Sequence, residues 1–173
     1  MRDLSMSEHS IRTCSPEDIA YLADIERAAA RLFPADKSVN SEQTLPDAIL
    51  RKALREKLLF VADLNQALVG FAVCEEQDSY LHLKEVSVHP EVGRKGIGRS
   101  LVSYVIETSA NRGLHGVTLT TFSDVPWNQP FYSKLGFNML VEENLPAHLI
   151  TALKHERDQE LERRVGMVFT HEC

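Results

Sequence analysis

One stretch, Leu81 to Leu101, constrains the chain more than any other. LHLKEVSVHPEVGRKGIGRSL reads as a strand that runs through a basic, glycine-bearing loop into a helix. Apolar residues alternate as Leu81 and Leu83, slip by one position, and resume as Val86 and Val88. A period of two that slips mid-strand predicts a β-bulge near Lys84 and Glu85. Past Pro90, Gly96 and Gly98 permit a tight backbone path, and Ile97, Leu101, Val102, Val105 and Ile106 then recur at helical spacing. The helix therefore begins inside the loop and closes near Gly113.

The first N–H groups of such a helix have no intrahelical partner, and the helix dipole places partial positive charge there. Arg94, Lys95 and Arg99 crowd the same turn with no acid among them. A phosphate group is the ligand that this loop suits. Three phosphate motifs compete for it. A P-loop reads GxxxxGK[ST], and Gly93 to Ser100 has that spacing, but Arg99 stands where a lysine must reach the outer phosphates. A dinucleotide fingerprint GxGxxG would start at Gly96 and Gly98 and meets Leu101 at its third glycine.

The third motif covers more of the chain. VHPEVGRKGIGRSL, preceded by a strand and followed by FYSKLGF, resembles the coenzyme A-binding core of the GNAT superfamily of N-acetyltransferases, over about residues 58 to 140. The family loop is R/Q-x-x-G-x-G/A. Gly96 and Gly98 fit it, while Gly93 occupies the R/Q position and the arginine follows one place later at Arg94. The resemblance implies a single GNAT-like α/β domain over residues 1–173, with a mixed, mostly antiparallel sheet, a bulged central strand and flanking helices. It also implies acetyl-CoA as co-substrate, held by Gly93, Arg94, Lys95, Gly96, Ile97, Gly98, Arg99 and Ser100.

Acetyl transfer from a thioester to an amine needs a free amine, a polarised carbonyl and a protonated leaving thiolate. An alkyl amine, with a pKa of about 10.4, is mostly protonated at neutral pH, so a base must take a proton as it attacks. His82 is the candidate base, because an ordinary imidazole is largely neutral at pH 7. It also falls where related acetyltransferases carry a glutamate or histidine base. Glu85 is the second candidate. FYSKLGF resembles the family's F-Y-x-x-x-G-F element, which implies that Tyr132 lies beside the coenzyme sulfur and protonates the thiolate. Asn128 corresponds to a polar residue that contacts the coenzyme. A bulged strand leaves N–H groups unpaired, so the backbones of Val86 and Val88 are assigned to the pantetheine arm, with their side chains in the core.

At 173 residues and 19.5 kDa the chain suits one compact domain with a real core, and no internal repeat breaks it. Nineteen basic against 25 acidic residues give −6, a poor balance for binding nucleic acid and a mild preference for a cationic amine acceptor. No apolar run is long enough to cross a bilayer and the N-terminus lacks a signal core, so a cytoplasmic protein without membrane partners is expected. A homodimer stays open. Cys14, Cys74 and Cys173 form no CxxC pair, and the histidines lack a metal-binding spacing, so no metal is expected. Cys74 reads as a small core residue.

Local signals fill in the rest. Ser15-Pro16-Glu17-Asp18 starts a first helix that runs to Phe33-Pro34, and a polar connection, Asp36 to Gln43, leads to a second helix beginning near Thr44. These two helices either flank the acceptor site, as the resemblance implies, or cover one face of a sheet. Leu58 to Leu64 and Leu68 to Glu75 read as a hairpin turning at Asn65-Gln66. Gly116 to Phe122 is a strand, Asn128 to Leu135 a short helix, Phe137 to Val141 a strand, Leu145 to Leu161 a helix and Val165 to Phe169 a final edge strand.

Overall fold

A computed structural model describes residues 8–34, 37 and 42–172. The chain runs β1 (His9–Thr13), α1 (Ile19–Ala30), α2 (Asp47–Arg55), β2 (Leu59–Leu64), β3 (Ala67–Gln77), β4 (Tyr80–Val88), α3 (Ile97–Asn111), β5 (Gly116–Phe122), α4 (Gln129–Lys134), β6 (Asn138–Met139), α5 (Ala147–Asp158) and β7 (Arg164–Thr170). The strands form a mixed sheet in the order β1-β2-β3-β4-β5-β7-β6. β4 and β5 run parallel, whereas β1 with β2, β2 with β3, β5 with β7 and β6 with β7 are antiparallel. This is the α/β architecture that the sequence announces: a mixed sheet flanked by helices.

The chain divides into two compact units whose boundaries cut β3, β4 and α3. The first holds β1, α1, α2, β2, the start of β3, the end of β4 and the loop into α3 as far as Tyr104. Its core is Cys14, Leu22, Ile25, Leu50, Ala53, Leu59, Val61, Phe71 and Val73. Leu22 and Ile25 of α1 and Leu50 and Ala53 of α2 meet the odd-numbered face of β2 and β3, because side chains on a strand alternate between faces. The two helices thus do cover a sheet face. Asp18 ties the start of α1 to the sheet: its Oδ2 accepts the Ser15 N–H at 2.8 Å, and Arg12 of β1 bonds both Asp18 (2.7 Å) and Asp63 of β2 (2.6 Å). Those bonds hold the Asp18 carboxyl below its usual range, Arg12 being the main cause.

The second unit holds the end of β3, the start of β4, the rest of α3 and everything from β5 onward, with Phe33 and Lys37. Leu145, Leu149 and Leu153 pack on Val168, with Tyr80 against them. Gly166 of β7 lets α5 come close, since an added Cβ would lie 3.3 Å from Leu145 and Leu149. Cys74 is buried as expected, and burial pushes its thiol pKa up.

Both tight hairpins use left-handed backbone. Asn65 and Gln66 turn β2 into β3 with φ of 51° and 67°, and Asp78 and Ser79 turn β3 into β4 with φ of 50° and 65°. Gly113 (φ 70°) closes α3, its N–H meeting Ala110 O while Leu114 N–H meets Ser109 O. Two expectations change. β7 is not an edge: it lies between β5 and β6, and the short β6 is the outer strand. Val86 and Val88 are half-buried, and Ser87 is the enclosed residue, so their side chains are not core. Buried positions keep the odd phase, Leu81, Leu83 and Ser87, with His82 buried as well; alternation lapses at residues 84–86, where the sequence places the bulge. Residues 1–7, which the sequence suggests as a loose end, most of the Asp36 to Gln43 connection and Cys173 lie outside the described residues.

Candidate active site

Val86, Val88 and the glycine loop belong to the first unit. A turn at Pro90–Val92 follows β4, and His89 anchors it, with its N–H on Val69 O at 2.8 Å and its Nδ1 accepting from Glu91 N. Arg94 (φ 64°) and Gly96 (φ 79°) then take left-handed backbone, and α3 starts at Ile97. The ladder of α3 opens with the bond from Ser100 N–H to Gly96 O at 3.0 Å, so the N–H groups of Ile97, Gly98 and Arg99 precede it. Arg94, Lys95, Gly96 and Arg99 are exposed, while Ile97 is buried and roots the helix. A Cβ built on Gly96 meets nothing within 4 Å. Free donors, three exposed cations and open space over a glycine fit a phosphate ester arriving from outside. The Ser100 Oγ lies 2.7 Å from His9 Nε2 of β1.

Asn128, Tyr132 and His82 belong to the second unit. Asn128 precedes α4 and its carbonyl accepts the Tyr132 N–H at 3.1 Å, with no side-chain cap. Gly136 (φ 100°) ends α4 against the Phe169 ring. The half-buried Tyr132 ring sits edge-on to Phe131 (5.0 Å) and Phe137 (5.6 Å). The segment after β5 is braced from a distance: Phe33 contacts Phe122 (5.6 Å) and Trp127 (6.1 Å), and buried Lys37 pairs with Asp124, holding that carboxyl below its usual range. The Lys37 and Arg163 contacts to Asp124 had no sequence signal.

His82 is 8% exposed on β4. Burial first, then the positive charge of His148 and Lys84, push its pKa down to about 3, against a smaller opposing effect of Glu75. It is therefore neutral at physiological pH. Its Nδ1 lies 3.0 Å from Thr118 Oγ1, which lies 2.7 Å from His148 Nε2; His148 Nδ1 and N–H both meet Asp78 Oδ2 at 2.9 Å. Sequence reasoning missed Asp78, Thr118 and His148, which sit on a turn, a strand and a helix far apart in the chain. Among the described residues no group of three His, Cys, Asp or Glu side chains is arranged to hold a metal ion, and no helix is long and apolar enough to cross a membrane.

The mixed sheet, with an open basic loop at the head of α3, defines an α/β class with a known family. The Acetyltransferase (GNAT) family pattern matches residues 22–137. The chain belongs to the GNAT family. An uncharacterised N-acetyltransferase of Methanocaldococcus jannaschii is 31% identical over 85 residues, 45% of this chain and 38% of that protein, so this chain spans well under half of that relative's length. Two solved structures share the fold at low identity. N-acetylglutamate synthase from Neisseria gonorrhoeae, complexed with coenzyme A and N-acetyl-glutamate, has a TM-score of 0.72 at 17% identity, over 96% of this chain and 36% of that one. The ribosomal-protein-S18-alanine N-acetyltransferase from Escherichia coli has a TM-score of 0.69 at 20% identity, over 96% of both chains.

Proposed function

We propose that the chain is an N-acetyltransferase that moves an acetyl group from acetyl-CoA directly to a primary amine, with no covalent enzyme intermediate. The observation that carries this reading is the head of α3, inside the segment that matches the family. There, unpaired N–H groups, the open left-handed Gly96 and Arg94, Lys95 and Arg99 suit a pyrophosphate. The backbones of Gly93, Gly98 and Ser100 complete that loop, and those of Val86 and Val88 take the pantetheine arm. Asn128 contacts the coenzyme.

In the reaction the amine nitrogen attacks the thioester carbon, a C–N bond forms, the C–S bond breaks, and the thiolate leaves. His82, kept neutral by burial, takes the amine proton directly or through water. Tyr132, whose phenol keeps its proton at neutral pH, supplies one to the thiolate. The chain's net charge of −6 favours a cationic acceptor such as a polyamine, an aminoglycoside or a lysine side chain. The acceptors of the two solved relatives, glutamate and a protein alanine, extend the panel to amino acids and peptides.

Thiol release from acetyl-CoA, measured against that amine panel, tests the reading. Release that depends on one amine class supports it. Tight acetyl-CoA binding with no release from any amine would instead define a coenzyme A-binding regulatory module, and strong Mg-dependent competition by ATP would favour nucleotide binding at the same loop.

A further inference from the structure

We infer that Asp78, His148 and Thr118 form a proton relay behind His82, which fixes the Nε2 atom of His82 as the free base and moves the accepted proton to His148. The inference deepens the acetyltransferase reading and rests on it for the source of the proton.

Hydrogen-bond bookkeeping assigns every proton in the chain. The Asp78 carboxyl, held below its usual range by its two bonds from His148, is ionised and can only accept. His148 Nδ1 therefore carries a hydrogen. In neutral His148 the other nitrogen, Nε2, is then an acceptor, and its partner Thr118 must donate the one proton of its hydroxyl. The Thr118 oxygen is left to accept from His82 Nδ1–H. That leaves a lone pair on His82 Nε2, for which no hydrogen-bond partner exists among the described residues.

A proton that reaches Nε2 can travel on without new contacts. The Nδ1 proton passes to the Thr118 oxygen, and the Thr118 hydroxyl proton passes to His148 Nε2. His82 ends neutral with its hydrogen on Nε2, and His148 ends as an imidazolium beside the Asp78 carboxylate. Position decides where the charge rests. Both imidazoles are enclosed, but only His148 has a carboxylate beside it: Asp78, half exposed at the β3–β4 turn, lies 2.9 Å away. His148 is the second residue of α5, where the helix dipole opposes a cation, and the Asp78 carboxylate offsets that. The other groups facing the pair are Lys84 and Glu75, ion-paired at 3.1 Å near His82, and the Tyr80 ring, which lies between His115 (5.6 Å) and His148 (6.2 Å). The His82 and His148 rings are 5.4 Å apart and nearly perpendicular.

The same geometry makes an acid switch. Whenever His148 carries the extra proton, its Nε2 is a donor, Thr118 turns, and His82 takes its hydrogen on Nε2. The base is then lost while His82 is still uncharged, because burial holds its pKa down at about 3.

Long-range ¹H–¹⁵N spectra of the full chain labelled at its imidazoles read the relay without any acceptor or coenzyme. At neutral pH the expected result is hydrogen on Nδ1 in both His82 and His148. On acidification His82 should change tautomer in step with the charging of His148 while staying neutral. Thr118→Val should uncouple the two rings, and Thr118→Ser should restore the coupling. A His82 that holds its hydrogen on Nε2 while His148 is neutral, or that switches in step with His148 in Thr118→Val, overturns the relay. Thiol release from acetyl-CoA with spermidine as the probe amine is a separate readout. Thr118→Val should lower kcat by about 10-fold or more with acetyl-CoA affinity unchanged, and Thr118→Ser should recover most of it. An active wild type whose kcat and pH profile are unmoved by Thr118→Val counts against the relay. A wild type that releases no thiol with any amine, yet shows the expected tautomers, refutes the acetyltransferase reading and leaves the wiring of the relay standing.

Discussion

His82 and Thr118 are register partners across the parallel β4–β5 pair, and their side chains hydrogen-bond at 3.0 Å. Neighbours in register share a sheet face, so the threonine holds the imidazole in a buried position where its charge is penalised. The His82 pKa of about 3 lies below the ordinary 6.5 expected of the unfolded chain, so acid favours the unfolded state, which binds the extra proton. The stability linked to neutral His82 is full above about pH 6.5 and is lost as pH falls from there toward about 3, at up to about 1.4 kcal/mol per pH unit. Urea midpoints between pH 7 and pH 5 should fall less steeply in His82→Gln than in wild type. Equal slopes would mean that His82 charges freely in the folded protein.

Tyr132 separates packing from chemistry. Its ring fills the space between Phe131 and Phe137, which Tyr132→Phe preserves. Stability should change by less than about 1.5 kcal/mol, and acetyl-CoA affinity should hold. Single-turnover acetyl transfer should slow by about 10-fold or more, because protonation of the thiolate is needed only in the transition state. An unchanged single-turnover rate removes Tyr132 from the mechanism and leaves solvent as the donor.

Local signals made the fold legible. The hairpin at Asn65-Gln66, the helix opening beyond Gly96 and the stop at Gly113 each depend on a few adjacent residues, and each is where the sequence places it. Sheet order depends on pairing between distant segments, so β7 read as an edge strand although it pairs with both β5 and β6. Phase also misled at Val86 and Val88: apolarity predicted burial there, but the strand encloses Ser87 instead. In the candidate site the glycine loop was visible because the chemistry is contiguous. The Asp78–His148–Thr118–His82 chain was invisible, since 70 residues separate Asp78 from His148 and 36 separate His82 from Thr118. A lone histidine after Leu-Pro-Ala carries no mark of its partner.

Gly96 allows backbone strain to be told apart from ligand exclusion. Its φ of 79° disfavours any side chain, but a Cβ there touches no protein atom. Gly96→Val should cost about 1–2 kcal/mol of stability from strain and weaken acetyl-CoA binding at least about 10-fold by filling the space above the loop. Gly113→Ala supplies the control, since Gly113 has a φ of 70° and equally open surroundings at the far end of α3. It should lose comparable stability and keep its affinity in calorimetry. Equal affinity losses in the two variants would assign the effect to strain and remove the phosphate from Gly96.

Arg164 and Glu156 pose the opposite problem, a charge pair that the fold encloses. Arg164 Nη2 donates to Glu156 Oε1 at 2.9 Å and to Thr120 Oγ1 at 3.0 Å, and its guanidinium lies over the Phe122 ring at 4.5 Å. Both side chains are 16% exposed, and Glu156 Oε2 and Arg164 Nε lack a partner among the described residues. Desolvation of two ions is therefore only partly offset, yet either ion alone would fare worse. Arg164→Met should destabilise by about 3 kcal/mol, because it leaves the Glu156 carboxylate enclosed beside Thr120 without its cation. Adding Glu156→Leu should recover at least half of that loss, since the orphaned charge goes as well. A double-mutant cycle in urea measures the coupling. A double variant as unstable as the sum of the two single ones would show that the two charges do not interact energetically.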